Sequence, residues 1–154
     1  MDHVSEIVAE LRTAYASEIE IIEDYLANAT NLESAEAIRN LFDEEVQTAL
    51  GHARRLAKRI KALEGRVPGS RELPRTQTSL RPSANTDDMD IALHDAIKSQ
   101  DAAIAQYERI IRLSDGHDFV TLDLVIELLV DERERRQRLV ELLDAIGMDP
   151  SRGH

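Results

Sequence analysis

The stretch Leu128 to Leu139, LLVDERERRQRL, holds the residues whose types and spacing could do chemistry. Apolar residues at Val125, Leu128, Leu129, Leu139, Leu142 and Leu143 mark a buried stripe at helical spacing. Continued through the gap, that stripe puts Glu132 and Arg135 or Arg136 on the inward side. An unpaired buried charge is very costly, so each needs a partner across the core. The chemistry open to such a pair begins with an internal, charge-assisted ion pair.

The elements that must position these residues are helices. Helical spacing predicts four of them, over about 2–28, 33–64, 88–113 and 118–146. In the first, the stripe runs through Val4, Ile7, Val8, Leu11, Tyr15, Ile19 or Ile22, Tyr25 and Leu26, and Asn28, Thr30 and Asn31 punctuate its end. In the second it runs through Ile38, Leu41, Phe42, Val46, Ala49, Leu56 and Ile60, and Gly65 is the expected stop. Thr86-Asp87-Asp88 is expected to cap the third helix, and Ser114-Asp115-Gly116 to break it from the fourth. Between the second and third helices, about 65–87, all but one of the prolines gather, and no regular structure is expected. Helices of this length span about 40 Å, which two dozen extended residues can cross. The expected architecture is therefore all-α: two antiparallel hairpins joined by one long crossover, in a single domain over 1–154.

Composition narrows the function classes. The chain has 154 residues, 42% of them apolar, and a net charge of −11. That charge disfavours nucleic acid and anionic membrane surfaces as partners. The richest basic run, Arg54, Arg55, Lys58, Arg59 and Lys61, belongs to a helix face. With no cysteine, disulfides and thiolate metal sites are excluded. No signal-peptide pattern opens the sequence and no apolar run reaches membrane-spanning length, so a cytoplasmic location is expected. There is no Ser-His-Asp arrangement, phosphate loop or dinucleotide fingerprint.

The two hairpins repeat each other. Glu18, Ile22 and Tyr25 of the first helix align with Gln100, Ile104 and Tyr107 of the third. Ala49, His52 and Leu56 of the second align with Glu132, Arg135 and Leu139 of the fourth. Two matches in the same order at nearly the same offset imply a pseudo-two-fold bundle whose axis passes between these segments.

These segments resemble the ferritin-like family, bacterioferritin most closely. The likeness is carried by Glu18 with Tyr25, by Ala103-Ile104-Ala105-Gln106-Tyr107 with Ile110-Ile111, and by the runs from His117 to Asp123 and from Ile126 to Glu132. It spans all four helices. It implies a carboxylate-bridged dimetal centre, with one Glu from each of two helices and Glu-x-x-His from each of the other two. Glu18 is present. The second-helix pair reads Ala49 and His52, so its Glu is gone. The third-helix Glu reads Gln100 by the repeat, or Ser99 by an ungapped match to the family. The fourth-helix pair reads Glu132 and Arg135, so its His is gone. Three ligands thus survive: Glu18, His52 and Glu132. The haem-bearing methionine of bacterioferritin falls near Leu50 or Gly51, so no haem is expected. The family's short fifth helix is not expected after the bundle.

Arg135 is expected to take the place of metal, pairing with Glu132 and reaching toward Glu18. Tyr25 and Tyr107 are expected to donate to the same carboxylates, with Gln100 supplying further hydrogen bonds. The alternative has Arg135 pointing outward, leaving Glu18, His52 and Glu132 to hold one weakly bound iron or other divalent ion. Glu45, in the run Asp43-Glu44-Glu45, is expected to be solvated and His94 to be a surface residue, while His3, His117 and His154 have no evident partner. Two functions follow. One is a non-catalytic structural or assembly subunit with a degraded ferroxidase site. The other is an iron-binding protein of the ferritin type, with an altered metal site serving iron storage or oxidative-stress defence. Either is expected as a homo-oligomer, dimer or larger, and co-assembly with an active ferritin-like paralogue is a further expectation.

Overall fold

A computed structural model describes residues 2–33, 36–75 and 89–147. It contains four α-helices, α1 (His3–Asn31), α2 (Glu36–Ala62), α3 (Met89–Ser114) and α4 (Phe119–Gly147), with no strand among the described residues. The expected Thr86-Asp87-Asp88 cap, most of the crossover and the tail that includes His154 lie outside the described residues.

The helix ends follow from local chemistry. Asp2 caps α1, accepting from the Ser5 N–H at 2.7 Å. The helix continues past Asn28 to Asn31, because Asn28 is buried and its side-chain amide donates to Asp24 at 3.3 Å. A satisfied tertiary environment overrides the weak helix propensity of asparagine there. α2 ends in a Schellman turn in which the Gly65 N–H reaches the Ile60 carbonyl at 2.9 Å. The left-handed position is Glu64, at φ 65°, rather than the expected Gly65. Gly65 is required for another reason: a Cβ there would lie 2.8 Å from Val8 Cγ1 of α1. Asp118 caps α4 through the Thr121 N–H at 3.1 Å, and Arg59 of α2 clamps the same carboxylate at 3.1 Å.

The hairpins α1–α2 and α3–α4 are the closest-packed pairs. Across the bundle, α1 meets α3 through Glu10 with Gln106 and Tyr25 with Gln100. α2 meets α4 through Glu45 with Arg138, His52 with Glu132 and Arg59 with Asp118. Both pairings run antiparallel. Since α1 and α2 are themselves antiparallel, α2 and α3 run parallel, and the crossover must return the chain along the bundle. The core is mostly aliphatic, with Leu11, Ile21, Leu56, Ile60, Leu93, Ile110 and Leu128 fully buried beside the aromatic Phe42. Ile21 occupies the place expected of Ile19 or Ile22, while Val4 and Leu26 of the expected stripe are half exposed.

Among the four neighbouring helix pairs, backbone approach is least close between α2 and α4. Long side chains fill that seam, and they are the charged ones.

Candidate functional site

A buried polar layer crosses the middle of the bundle. α1 contributes Glu18 and Tyr25, two turns apart on one face, and α3 contributes Gln100 and Tyr107 at the equivalent places. α2 adds Glu45, Ala49 and His52, and α4 adds Glu132 and Arg135. All of these side chains are buried.

One half of the layer is a cluster of donors. His52 Nδ1 lies 3.0 Å from Glu132 Oε1 and 3.5 Å from Glu18 Oε1. Its Nε2 lies 2.9 Å from the half-exposed Asp131 carboxylate. Tyr107 donates to Glu18 Oε1 at 2.6 Å. One ligand atom from each of Glu18, His52 and Glu132 falls within 4.8 Å of the others.

Electrostatics assigns the protons. Burial by itself would lower the pKa of His52, but its hydrogen bonds to Glu132 and Glu18 and their charges outweigh burial and push it up to about 10. Burial and the charge of Glu18 drive the Glu132 carboxyl well above the usual carboxylate range. Burial also opposes ionisation of Glu18, yet the hydrogen bond and charge of His52, with the charge of Arg135, hold its pKa below the ordinary value. The half therefore favours a histidinium beside an ionised Glu18, with Glu132 pushed toward its protonated form. Burial and the adjacent Glu18 charge raise Tyr107 well above an ordinary phenol, so it remains a donor.

The other half is built from different residue types. Ala49 presents only a methyl group, and Gln100 donates to Tyr25 Oη at 2.9 Å. Tyr25 donates to the Ala96 carbonyl at 3.3 Å, not to a carboxylate as expected. With Glu18 already taken by Tyr107, the register across α1 and α3 offers Tyr25 only the amide that stands where a Glu would be. The pairs Tyr107–Glu18 and Tyr25–Gln100 are images of each other, and Gln100 rather than Ser99 is the repeat partner of Glu18.

Arg135 points inward and is 1% exposed. Its Nη1 donates to Glu132 Oε1 at 3.0 Å, its Nη2 to the Glu45 carbonyl at 3.0 Å, and its Nε to Glu45 Oε2. Glu45 thus takes the place expected of Glu18 as second partner. Arg138, half exposed, donates to the other Glu45 oxygen at 2.8 Å. The expectation that Glu45 is solvated is overturned, since it is 2% exposed. The signal was present in the sequence: Glu45 lies three residues after Phe42 and four before Ala49, on the stripe itself.

These residues fit one cation and not two. Glu18, His52 and Glu132 converge, and beyond each other the Oε2 atoms of the two carboxyls find no hydrogen-bond partner among the described residues. At the second position a methyl, a neutral amide and a guanidinium replace the carboxylates and imidazole a divalent ion needs. Sequence reasoning missed Asp131, which holds the far nitrogen of His52, and Arg138, which covers Glu45. It also gave no partner to His3 and His117, whose rings stack at 3.7 Å where α1 begins beside the α3–α4 turn. His94 is exposed, as expected.

Comparison with known proteins places this geometry in a lineage. A bacterioferritin-related protein from Bacteroides fragilis, described as a dodecameric thioferritin, is 26% identical with a TM-score of 0.86, covering 96% of this chain and 89% of its own. A structure from Bacillus anthracis str. Ames, described as ferritin-like, diiron-carboxylate proteins, is 22% identical with a TM-score of 0.81, covering 93% of this chain and 99% of its own. Among curated proteins the sequence finds no match. The family described as Ferritin-like domain matches residues 8–148, so this chain belongs to the Ferritin family.

Proposed function

We propose that this chain is a ferritin-like subunit that has given up dimetal oxidase chemistry, with the Arg135 guanidinium standing as a fixed cation at the second metal position. One observation carries the reading: Arg135 is buried with all three guanidinium nitrogens hydrogen-bonded to Glu45 and Glu132. A dimetal centre offsets four carboxylates with two dications. Here Glu18 and Glu45 face the cations His52 and Arg135 without metal, and burial pushes Glu132 toward its neutral form. The dodecameric relative supports a homo-oligomeric subunit, and no described helix is long and apolar enough to cross a membrane.

A second reading is favoured by the converging donors: Glu18, His52 and Glu132 hold a single divalent ion. His52 Nδ1 would ligate once its proton leaves, and Asp131 would fix the ring through Nε2. The ion would supply the charge the histidinium now supplies. Co-assembly with an active relative is compatible with both readings.

Anaerobic titration with Fe2+ followed by exposure to oxygen is the test. At most one iron per chain, and oxidation no faster than in buffer, are expected. Two tightly bound irons per chain with oxygen turnover would overturn the proposal. The triple substitution Ala49→Glu, Gln100→Glu and Arg135→His is expected to restore binding of two.

A further inference from the structure

We infer that Glu45 sets the number of cations the buried site can hold, by anchoring Arg135 across the second position and keeping it off Glu18. The inference rests on the reading that Glu18, His52 and Glu132 can take one divalent ion. It adds a residue that the dimetal pattern does not contain.

The geometry has three parts. Glu45 lies one helical turn from Ala49 on the same face of α2, so a carboxylate enters the α2–α4 seam where the lost ligand no longer does. Its side chain takes Arg135 Nε and its carbonyl takes Nη2, so two of the three guanidinium nitrogens are committed to Glu45. Only Nη1 remains, and it reaches Glu132 Oε1 at 3.0 Å. No guanidinium hydrogen bond goes to Glu18, whose Oε1 stays with Tyr107 and His52. Arg138 completes the anchor from the surface side at 2.8 Å.

A buried guanidinium must have an anion. Without the Glu45 carboxylate, the nearest buried carboxyls left to Arg135 are Glu132, which it already touches, and Glu18 beyond it. Arg135 would then compete directly with a cation for the triad. Glu45 therefore acts through Arg135, as a positioning residue rather than a ligand.

The test compares four full-length proteins: wild type, Glu45→Gln, Arg135→Gln and the double variant. Each is titrated with Co2+ by calorimetry and melted without metal. Glu45→Gln is expected to weaken Co2+ binding about tenfold or more. Arg135→Gln is expected to strengthen it, and adding Glu45→Gln to that background should cost about threefold or less. Co2+ affinity within twofold of wild type in Glu45→Gln, or the same loss in both backgrounds, overturns the inference. Absence of Co2+ binding to wild type overturns the single-cation reading alone. The melting temperatures then decide: Glu45→Gln should lower Tm by about 5 °C or more in wild type and by much less beside Arg135→Gln. An equal drop in both backgrounds overturns the inference. If Glu45→Gln fails to fold, Glu45→Asp keeps the charge one methylene short of Arg135 and is expected to show the same pattern at smaller amplitude.

Discussion

Tyr107 donates to the Glu18 carboxylate at 2.6 Å, while its repeat partner Tyr25 receives a hydrogen bond from the Gln100 amide at 2.9 Å. His52 sits between two carboxyls, while its repeat partner Arg135 reaches across to Glu45, one turn from Ala49 on α2. The backbone of the two halves repeats, but the side chains have diverged. One half keeps three convergent donors around an exchangeable proton. The other holds a charge that cannot leave, because a guanidinium is not deprotonated in proteins. Burial lowers the Arg135 pKa, and the charge of Glu18 opposes that shift. Pseudo-symmetry of fold therefore does not carry symmetry of chemistry. A buried layer needs only that its charges cancel and its polar atoms be paired.

The largest expected effect tests whether the charged half is indispensable. Arg135→Met leaves Glu45 with only the half-exposed Arg138 and removes a donor from Glu132. A loss of about 3–5 kcal/mol in chemical denaturation is expected, the usual cost of stranding a buried charge. A loss below about 1 kcal/mol would mean that the two halves are equally dispensable.

The next effect belongs to the exchangeable half and is read by pH. His52 is raised from 6.5 to about 10 in the folded chain. A raised basic group contributes its stability fully below the unfolded value and loses it as pH rises through the folded value. Metal-free protein should therefore lose on the order of a few kcal/mol between about pH 6.5 and 10. His52→Gln should flatten that part of the curve, and an unchanged slope would show that the histidinium is not the source.

Smaller still is the contrast between the tyrosines. Tyr107→Phe removes a bond to an ionised carboxylate and should cost about 1.5–3 kcal/mol, against about 1 kcal/mol for Tyr25→Phe, which loses the neutral bond from Gln100 and a long one to the Ala96 carbonyl. Equal costs in thermal melts would erase the distinction between the halves.

The smallest effect lies outside the layer and serves as its control. Burial, with the nearby Asp95 charge, raises Asp24 from 3.8 to about 6. A raised acid contributes its stability fully below about 3.8 and loses it as pH passes through about 6. Asp24→Asn should gain about 1 kcal/mol over wild type at pH 7.5 and nothing at pH 4, a figure discounted for the partial solvation of the carboxyl. No gain at pH 7.5 would place the burial penalty elsewhere.

Much of this was legible in the residues. The four helices, their hairpin pairing and the long crossover follow from apolar period and chain length, which are local properties. The repeat aligning Glu18 with Gln100 and His52 with Arg135 named what each half lacks, because ligand chemistry is a property of residue type. Arg135 was legible as inward-facing, but its partner was not. An arginine side chain spans more than one helical turn, so helical spacing alone could not choose between Glu18 and Glu45. Only the open seam between α2 and α4, and the capture of Glu18 by Tyr107 and His52, decided that. The sequence by itself determined the fold and which residue types stand at each of these positions. The tertiary structure decided where the remaining charges find their counter-ions, because pairing depends on the distance between helices that no single helix encodes.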